Sequence, residues 1–429
     1  MRRGCARLSV QASVKDGGFW ALMTGFVEPY IVPFAMALGA SMPAIGFLRS
    51  VPALIGSLSQ IVNERFVARL GSCRRAILAD VLVQALAAGA GAVSAFLPSP
   101  YGLYFFIMTV TLYTLSGAMS GPPWAALMGE YIPASKRGEF FGVRSQLVGF
   151  TFFAGSFAAS GILSLCGAGS LSGFVIIFSM AAVFRLISFY YVGKMYEPGT
   201  SFHMPKSVTP DLLKILDYRN NRVSAMFMSA FMLLAATYLT APYFSVYVLA
   251  ELKYDYFRYT LITTIGPLMT YLLMKRWGRM ADIFGSVKIL KTAFFLIPTV
   301  PILWTFNSGF VYLSLVEVYS GIIWGAYLIG INNFIYEAAE PRLRTGINAY
   351  FCFVSGLAQF GGAMTGGWLY DTLPSLGGSS FIPLLLLSGV LRFFSLAPLL
   401  RLVKESSGVR PANACELALC FLGFRSVNR

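Results

Sequence analysis

The sequence predicts an all-α membrane protein in which twelve transmembrane helices form two pseudo-symmetric six-helix bundles. Three observations carry that prediction. Apolar residues arrive in twelve blocks long enough to cross a bilayer, basic residues alternate from loop to loop, and the second half repeats landmarks of the first.

Hydropathy comes first. Of 429 residues, 57% are hydrophobic and 12% charged, whereas a soluble domain carries roughly a quarter charged residues. A hydrocarbon layer of roughly 30 Å needs about 20 apolar residues as helix. On that scale the spans fall at roughly 18–39, 43–62, 77–97, 102–128, 146–165, 172–193, 223–249, 257–274, 289–306, 310–334, 346–369 and 380–400. The blocks do not alternate apolar and polar as barrel strands do. Lipid offers no hydrogen bonds to a backbone, so helix is the remaining solution.

The loop charges come second. A formal charge of +15 invites a nucleic-acid reading, but its distribution assigns it to a membrane surface, and no nucleic-acid partner is expected. Of 33 Lys and Arg, Lys253 and Arg258 fall after span 7, and Arg49, Arg185 and Arg392 fall inside spans. All the others lie at the amino terminus, in the even-numbered loops or in the tail. By the positive-inside rule both termini are cytoplasmic, and the alternation demands an even number of spans. The basic amino terminus lacks a short apolar core with a small-residue cleavage site, so span 1 is expected to be an uncleaved insertion signal in the cell or plasma membrane.

Other chemistry is sparse. Cys5, Cys73, Cys166, Cys352, Cys415 and Cys420 show no CxxC spacing and read as structural. His203, the only histidine, sits in a loop. No metal-ligand cluster, nucleophile–base pairing or phosphate-cradling loop stands out, so no metal, no cofactor and no enzymatic activity are expected.

The repeat comes third. Residues 194–222 are the longest hydrophilic stretch and divide the chain into a six-span bundle at 1–193, a cytoplasmic linker, a second bundle at 223–404 and a tail at 405–429. Within the linker, Thr209, Pro210 and Asp211 open a short surface helix. Shifted by 207 positions, Glu130 meets Glu337, Arg137 meets Arg344, Gly155 meets Gly362, Arg185 meets Arg392 and Ser188 meets Ser395. Nearer the start of each half the shift is 213, where Pro29 and Tyr30 match Pro242 and Tyr243, and 214, where Arg74 matches Lys288.

Between spans 8 and 9 stands Trp277-Gly278-Arg279-Met280-Ala281-Asp282-Ile283-Phe284-Gly285-Ser286-Val287-Lys288. This resembles the Gly-x-x-x-Asp-x-x-Gly-x-(Arg/Lys) loop of the major facilitator superfamily, with Gly278, Asp282, Gly285 and Lys288 in register. Glycines allow a tight turn, and Asp282 can serve helix amino termini and neighbouring cations. The matching loop of the first half, Asn63 to Arg75, is degraded, with Glu64 for the first glycine and Ala68 for the aspartate. After spans 4 and 10, Glu130 with Arg137 and Glu337 with Arg344 repeat the same seven-residue spacing.

The resemblance implies a secondary active transporter that moves a small-molecule solute by alternating access. The implied partners are the solute, the lipid bilayer and protons as candidate coupling ion, with a functional monomer. A non-transporting sensor or scaffold on the same fold is the alternative. Among transporters, drug or metabolite efflux is set against uptake, and the missing proline between Gly149 and Gly161 of span 5 weighs against drug efflux.

Intramembrane charges mark the candidate site. Glu28 lies mid-span between Val27 and Pro29, and its repeat counterpart is Ala241. Arg49 in span 2 and Glu317 in span 10 likewise lack charged counterparts. The family resemblance implies that spans 1, 4, 7 and 10 line the cavity, which places Glu28, Glu317 and Asn332 toward the path. A fixed Glu28–Arg49 bridge is the structural alternative. Arg185 and Arg392 are expected to pair with Glu130 and Glu337 as a gating network beside Arg279 and the loop motif. Glycines in spans 5 and 11, among them Gly155, Gly161, Gly361 and Gly362, are expected at close helix contacts.

Overall fold

The structure is a computed structural model that describes residues 2–133, 137–167, 169–197, 222–338 and 343–402. His203, the expected linker helix, Lys136, Arg342 and the tail lie outside the described residues.

Among the described residues, each predicted span is filled by helix. Span 1 runs Arg2–Val27, passes through a 3-10 turn at Glu28–Tyr30 and resumes at Ile31–Ala37. Spans 2 to 6 are Met42–Leu70, Cys73–Val93, Tyr101–Tyr131, Arg137–Cys166 and Leu171–Gly193. Span 7 starts at Arg222–Tyr238 and continues through short turns to Glu251; span 8 is Tyr256–Phe284. Span 9 is Ser286–Leu296 with Thr299–Leu303, span 10 Phe310–Ala338, span 11 Arg344–Thr372, and span 12 Phe381–Phe394 with Leu396–Leu402. Ten of these are long and apolar enough to cross a membrane. The other two, Tyr256–Phe284 and Arg344–Thr372, have the length, at 29 residues each, but fall short in the apolar character of an 18-residue stretch.

Most helices overrun the predicted spans, because hydropathy marks only the hydrocarbon-facing part of a rod whose polar ends keep their helical hydrogen bonds. Span 1 starts well before residue 18, and this brings Asp16 inside a helix.

Proline sets the breaks. Pro29 offers no N–H to the preceding turn, and the α-helix gives way there to the turn Glu28–Tyr30. Pro242 does the same in the 3-10 turn Ala241–Tyr243 of span 7. The two breaks sit at the register that the repeat gave, and the contacts around them repeat as well. The Tyr30 hydroxyl donates to the Ser156 carbonyl (2.6 Å) and the Tyr243 hydroxyl to the Ala363 carbonyl (2.5 Å). A Cβ on Gly155 would stand 3.3 Å from the Leu22 carbonyl oxygen, and one on Gly362 would overlap that of Ala235. Gly161 and Gly361, by contrast, face open space. Gly362→Ala is therefore expected to cost ~1–3 kcal/mol by forcing two backbones apart, while Gly361→Ala leaves the melting temperature of the purified protein unchanged.

The chain packs as two compact units. One comprises Met1–Lys206, Ala241–Thr264 and Ala363–Asp371; the other comprises Ser207–Thr240, Ile265–Gly362 and Thr372–Arg429. In the first, Ala12, Cys73, Ile77, Leu127, Met128 and Val192 share an apolar core toward the amino-terminal part of span 1. Phe34, Phe106, Phe174 and Phe178 stack toward the other end. In the second, Trp277, Phe284, Leu290, Phe294, Tyr327 and Phe334 form the core.

Candidate functional site

The break in span 1 ends at a carboxylate. Glu28 occupies the first position of the 3-10 turn, and its Oε2 stands 3.6 Å from Nη1 of Arg49 on span 2. The Glu28 side chain is 41% exposed and that of Arg49 36% exposed. The two are thus an ion pair in an open setting, worth little to stability and free to exchange partners. Tyr113 of span 4 is buried beside them, its hydroxyl directed toward Glu28 without closing a hydrogen bond.

The same break is tied to the start of span 8. Tyr259 donates its hydroxyl to the Pro29 carbonyl, Tyr30 shares a 2.7 Å hydrogen bond with Thr260, and Tyr259 shares another with Ser245 (2.9 Å). Pro33 follows, buried within the helix Ile31–Ala37. A residue that bears charge thus sits beside the break in span 1, which these hydroxyls fasten to span 8.

A second cluster lies deeper in the same unit, toward the amino-terminal part of span 1. Arg185 on span 6 is 3% exposed. Its Nη1 donates to Ser188 Oγ (2.8 Å), Ser188 donates to Asp16 Oδ1 (2.7 Å), and Arg185 and Asp16 stand 3.8 Å apart. Asp80 on span 3, also buried, acts on the same guanidinium and keeps one oxygen unpartnered. Arg144 stacks on Trp124 at 4.2 Å and adds a second cation near Asp16. The expected partner of Arg185, Glu130, is exposed instead at the end of span 4. Hydropathy missed Asp16 because it lies just outside the apolar block. Its spacing ahead of span 1 carried no signal, since the contact is between spans 1 and 6.

In the second unit the repeat arginine finds a different acid. Arg392 is 3% exposed and donates to Ser388 Oγ (3.1 Å) and Thr240 Oγ1 (3.3 Å). The repeat counterpart of Asp16 is Ser229, which is buried and carries no charge. The carboxylate near Arg392 is Glu317, half-buried on span 10, farther away than an ion pair and held by Trp304 Nε1 at 3.0 Å. A Cβ on Gly266 of span 8 would stand 3.1 Å from Glu317 Oε2, so the glycine makes room for the carboxylate. Glu337, the expected partner, is exposed and accepts from Ser286 Oγ (2.6 Å).

The loop motif shows its glycine logic. Gly285 takes φ +90°, which only glycine adopts without strain, and ends span 8. Gly278 faces open space, and Arg279 and Asp282 are exposed. Among the described residues Asp282 makes no ion pair, and Lys288 lies half-buried one turn into span 9. In the degraded first-half loop, Arg74 reaches the Met195 carbonyl (3.0 Å) past the end of span 6, where a cation meets the negative end of the helix. Arg344 stacks on Tyr336 at 5.6 Å, while the side chain of Arg137 lies outside the described residues. Asn332 is exposed and donates to its own helix at Leu328 (2.8 Å).

Comparison with known proteins decides the family. The model of the Major Facilitator Superfamily matches residues 17–363. The chain belongs to that superfamily. No curated protein sequence matches it significantly. Among solved structures, a single-substitution mutant of the nucleoside transporter NupG is similar over 92% of this chain and 100% of its own, with a TM-score of 0.73 and 14% identity. A D-xylose–proton symporter is similar over 94% and 98%, with a TM-score of 0.69 and 12% identity. A bacterial homologue of the human lysosomal transporter Spinster is similar over 95% and 99%, with a TM-score of 0.62 and 14% identity. These identities show the shared fold alone. As a superfamily member the protein is a multi-pass membrane transporter of small solutes and not an enzyme.

Proposed function

We propose that the protein is a secondary active transporter in which Glu28 and Arg49 receive a small zwitterionic solute beside the hinge of span 1. One observation carries this reading: the two opposite charges lie 3.6 Å apart, both are partly open, and neither has a charged counterpart in the repeat. A zwitterion presents an ammonium to Glu28 and an acidic group to Arg49, so it replaces the internal pair without stranding either charge. The hydroxyls of Tyr30, Tyr259 and Thr260 fasten the hinge to span 8, and alternating access requires such contacts to form and break as the helices rock. Glu28 or Glu317 would exchange the coupling proton. The protein acts as a monomer in the plasma membrane, with both termini cytoplasmic and net movement outward.

Proteoliposomes test this. Radiolabelled zwitterionic metabolites are expected to cross only into or out of vesicles that hold the protein, and vesicles loaded inside or outside decide the direction. Arg49→Gln is expected to weaken solute binding by roughly tenfold or more, as loss of a charge-assisted hydrogen bond does. Equal binding by Arg49→Gln and wild type would remove the pair from the solute site. A protein that binds such a solute yet never moves it would be the non-transporting sensor.

A further inference from the structure

The surface of the first unit carries a second feature near the amino-terminal part of span 1. There spans 1 and 6 frame a groove of about 400 Å³, lined by Leu8, Gln11, Ala12, Lys15, Tyr191 and Lys194. Both lysines are exposed, and the Tyr191 ring lies under both ammonium groups, 5.4 Å from Lys15 Nζ and 5.9 Å from Lys194 Nζ. Lys194 also stands 4.1 Å over Tyr190. Among the described residues neither lysine makes an ion pair. The nearby acids are turned elsewhere: Asp16 faces Arg185 and Ser188, and Glu197 is bonded to Ser72.

We propose that this groove binds the headgroup of an anionic phospholipid and that the acyl chain lies along span 6. Charge supplies the first argument. Two cations share one ring at the groove beside Gln11, so a phosphate entering it meets two ammonium donors. Shape supplies the second. Below Lys194, the residues Tyr190, Leu186, Val183, Met180 and Ile176 are all exposed and recur at three- and four-residue spacing, so they form one apolar stripe. From Ile176 to Tyr190 the stripe is about 21 Å long, enough for a chain that fills half of a hydrocarbon layer of roughly 30 Å. Tyrosines at the top and aliphatic residues below match the order of headgroup and chain. The lipid would staple span 1 to span 6 directly over the buried Asp16–Ser188–Arg185 contact, a place where it can set the stability of the unit.

Titration of the purified full-length protein in neutral detergent, read by native mass spectrometry, tests this. Phosphatidylglycerol is expected to bind more tightly than phosphatidylcholine, and soluble glycerol phosphate only weakly. The double variant Lys15→Gln/Lys194→Gln is expected to bind phosphatidylglycerol about thirtyfold more weakly with phosphatidylcholine unchanged. Lys15→Arg/Lys194→Arg is expected to keep the preference. Equal binding of the two lipids, or an undiminished preference in the glutamine variant, overturns the site. Glycerol phosphate binding as tightly as the lipid would overturn the lipid as occupant and assign the seat to a free phosphate compound.

Discussion

Asp16→Ala is expected to destabilise the protein by ~3–5 kcal/mol, the cost of leaving a buried cation without its partner. Arg185 is 3% exposed and cannot reach solvent, so its charge must be answered inside the unit. Asp16 answers it directly and through Ser188, whose hydroxyl accepts from the arginine and donates to the acid. Asp80 acts on the same cation, which limits the loss but does not remove it, because among the described residues Asp80 makes no ion pair. Asp16→Asn keeps an acceptor for Ser188 and should lose less. Asp16→Ala/Arg185→Leu should recover much of the deficit, since replacing a buried pair by apolar groups is often close to neutral. The measurement is the thermal melting of detergent-purified variants, with solute flux as a second readout. Were the double variant no better than Asp16→Ala, charge compensation would not be what Asp16 provides.

Glu28→Gln is expected to reduce pH-gradient-driven accumulation of the solute to simple equilibration, while solute exchange persists at a higher KM because the ammonium loses its charged partner. Glutamine keeps the size of the side chain and its capacity for hydrogen bonds at the hinge, but it cannot carry a proton. Because the Glu28–Arg49 pair is partly open, its loss should cost at most about 1 kcal/mol of stability. A transport defect larger than the stability defect therefore separates a functional carboxylate from a structural bridge. A fixed bridge predicts the reverse, with Glu28→Gln and Arg49→Gln both losing folding and exchange together. Accumulation that still follows the pH gradient in Glu28→Gln would move the proton to Glu317, where Trp304 and Gly266 already shape a place for a carboxylate.

Comparison of the repeat halves explains why one arginine needs different acids. Arg185 and Arg392 occupy the same register and are equally buried. In the first unit the charge is met from span 1 by Asp16; in the second, that position is Ser229 and the acid comes from span 10 as Glu317. The shared scaffold thus fixes the cation, and each half has found its own anion.

The sequence by itself carried the helical character and order of the spans, the internal repeat and the resemblance that names the family. These follow from local quantities. A block of apolar residues is helical in lipid wherever it is placed, and a proline at position 29 or 242 breaks its helix from within. The repeat also carried the equivalence of positions, so that Tyr30 with Ser156 in one half answers to Tyr243 with Ala363 in the other under the shifts of 213 and 207. What only the tertiary structure decided is which charges meet. Arg185 chose Asp16 over Glu130, and Glu317 rather than Glu337 came to stand near Arg392. Packing also placed the stretches Ala241–Thr264 and Ala363–Asp371 with the first unit, although the linker puts them in the second half of the chain. The physical reason is the same in each case. An ion pair in a low-dielectric interior is set by distances between helices of a few ångströms, and sequence separation holds no record of how two helices are turned toward each other.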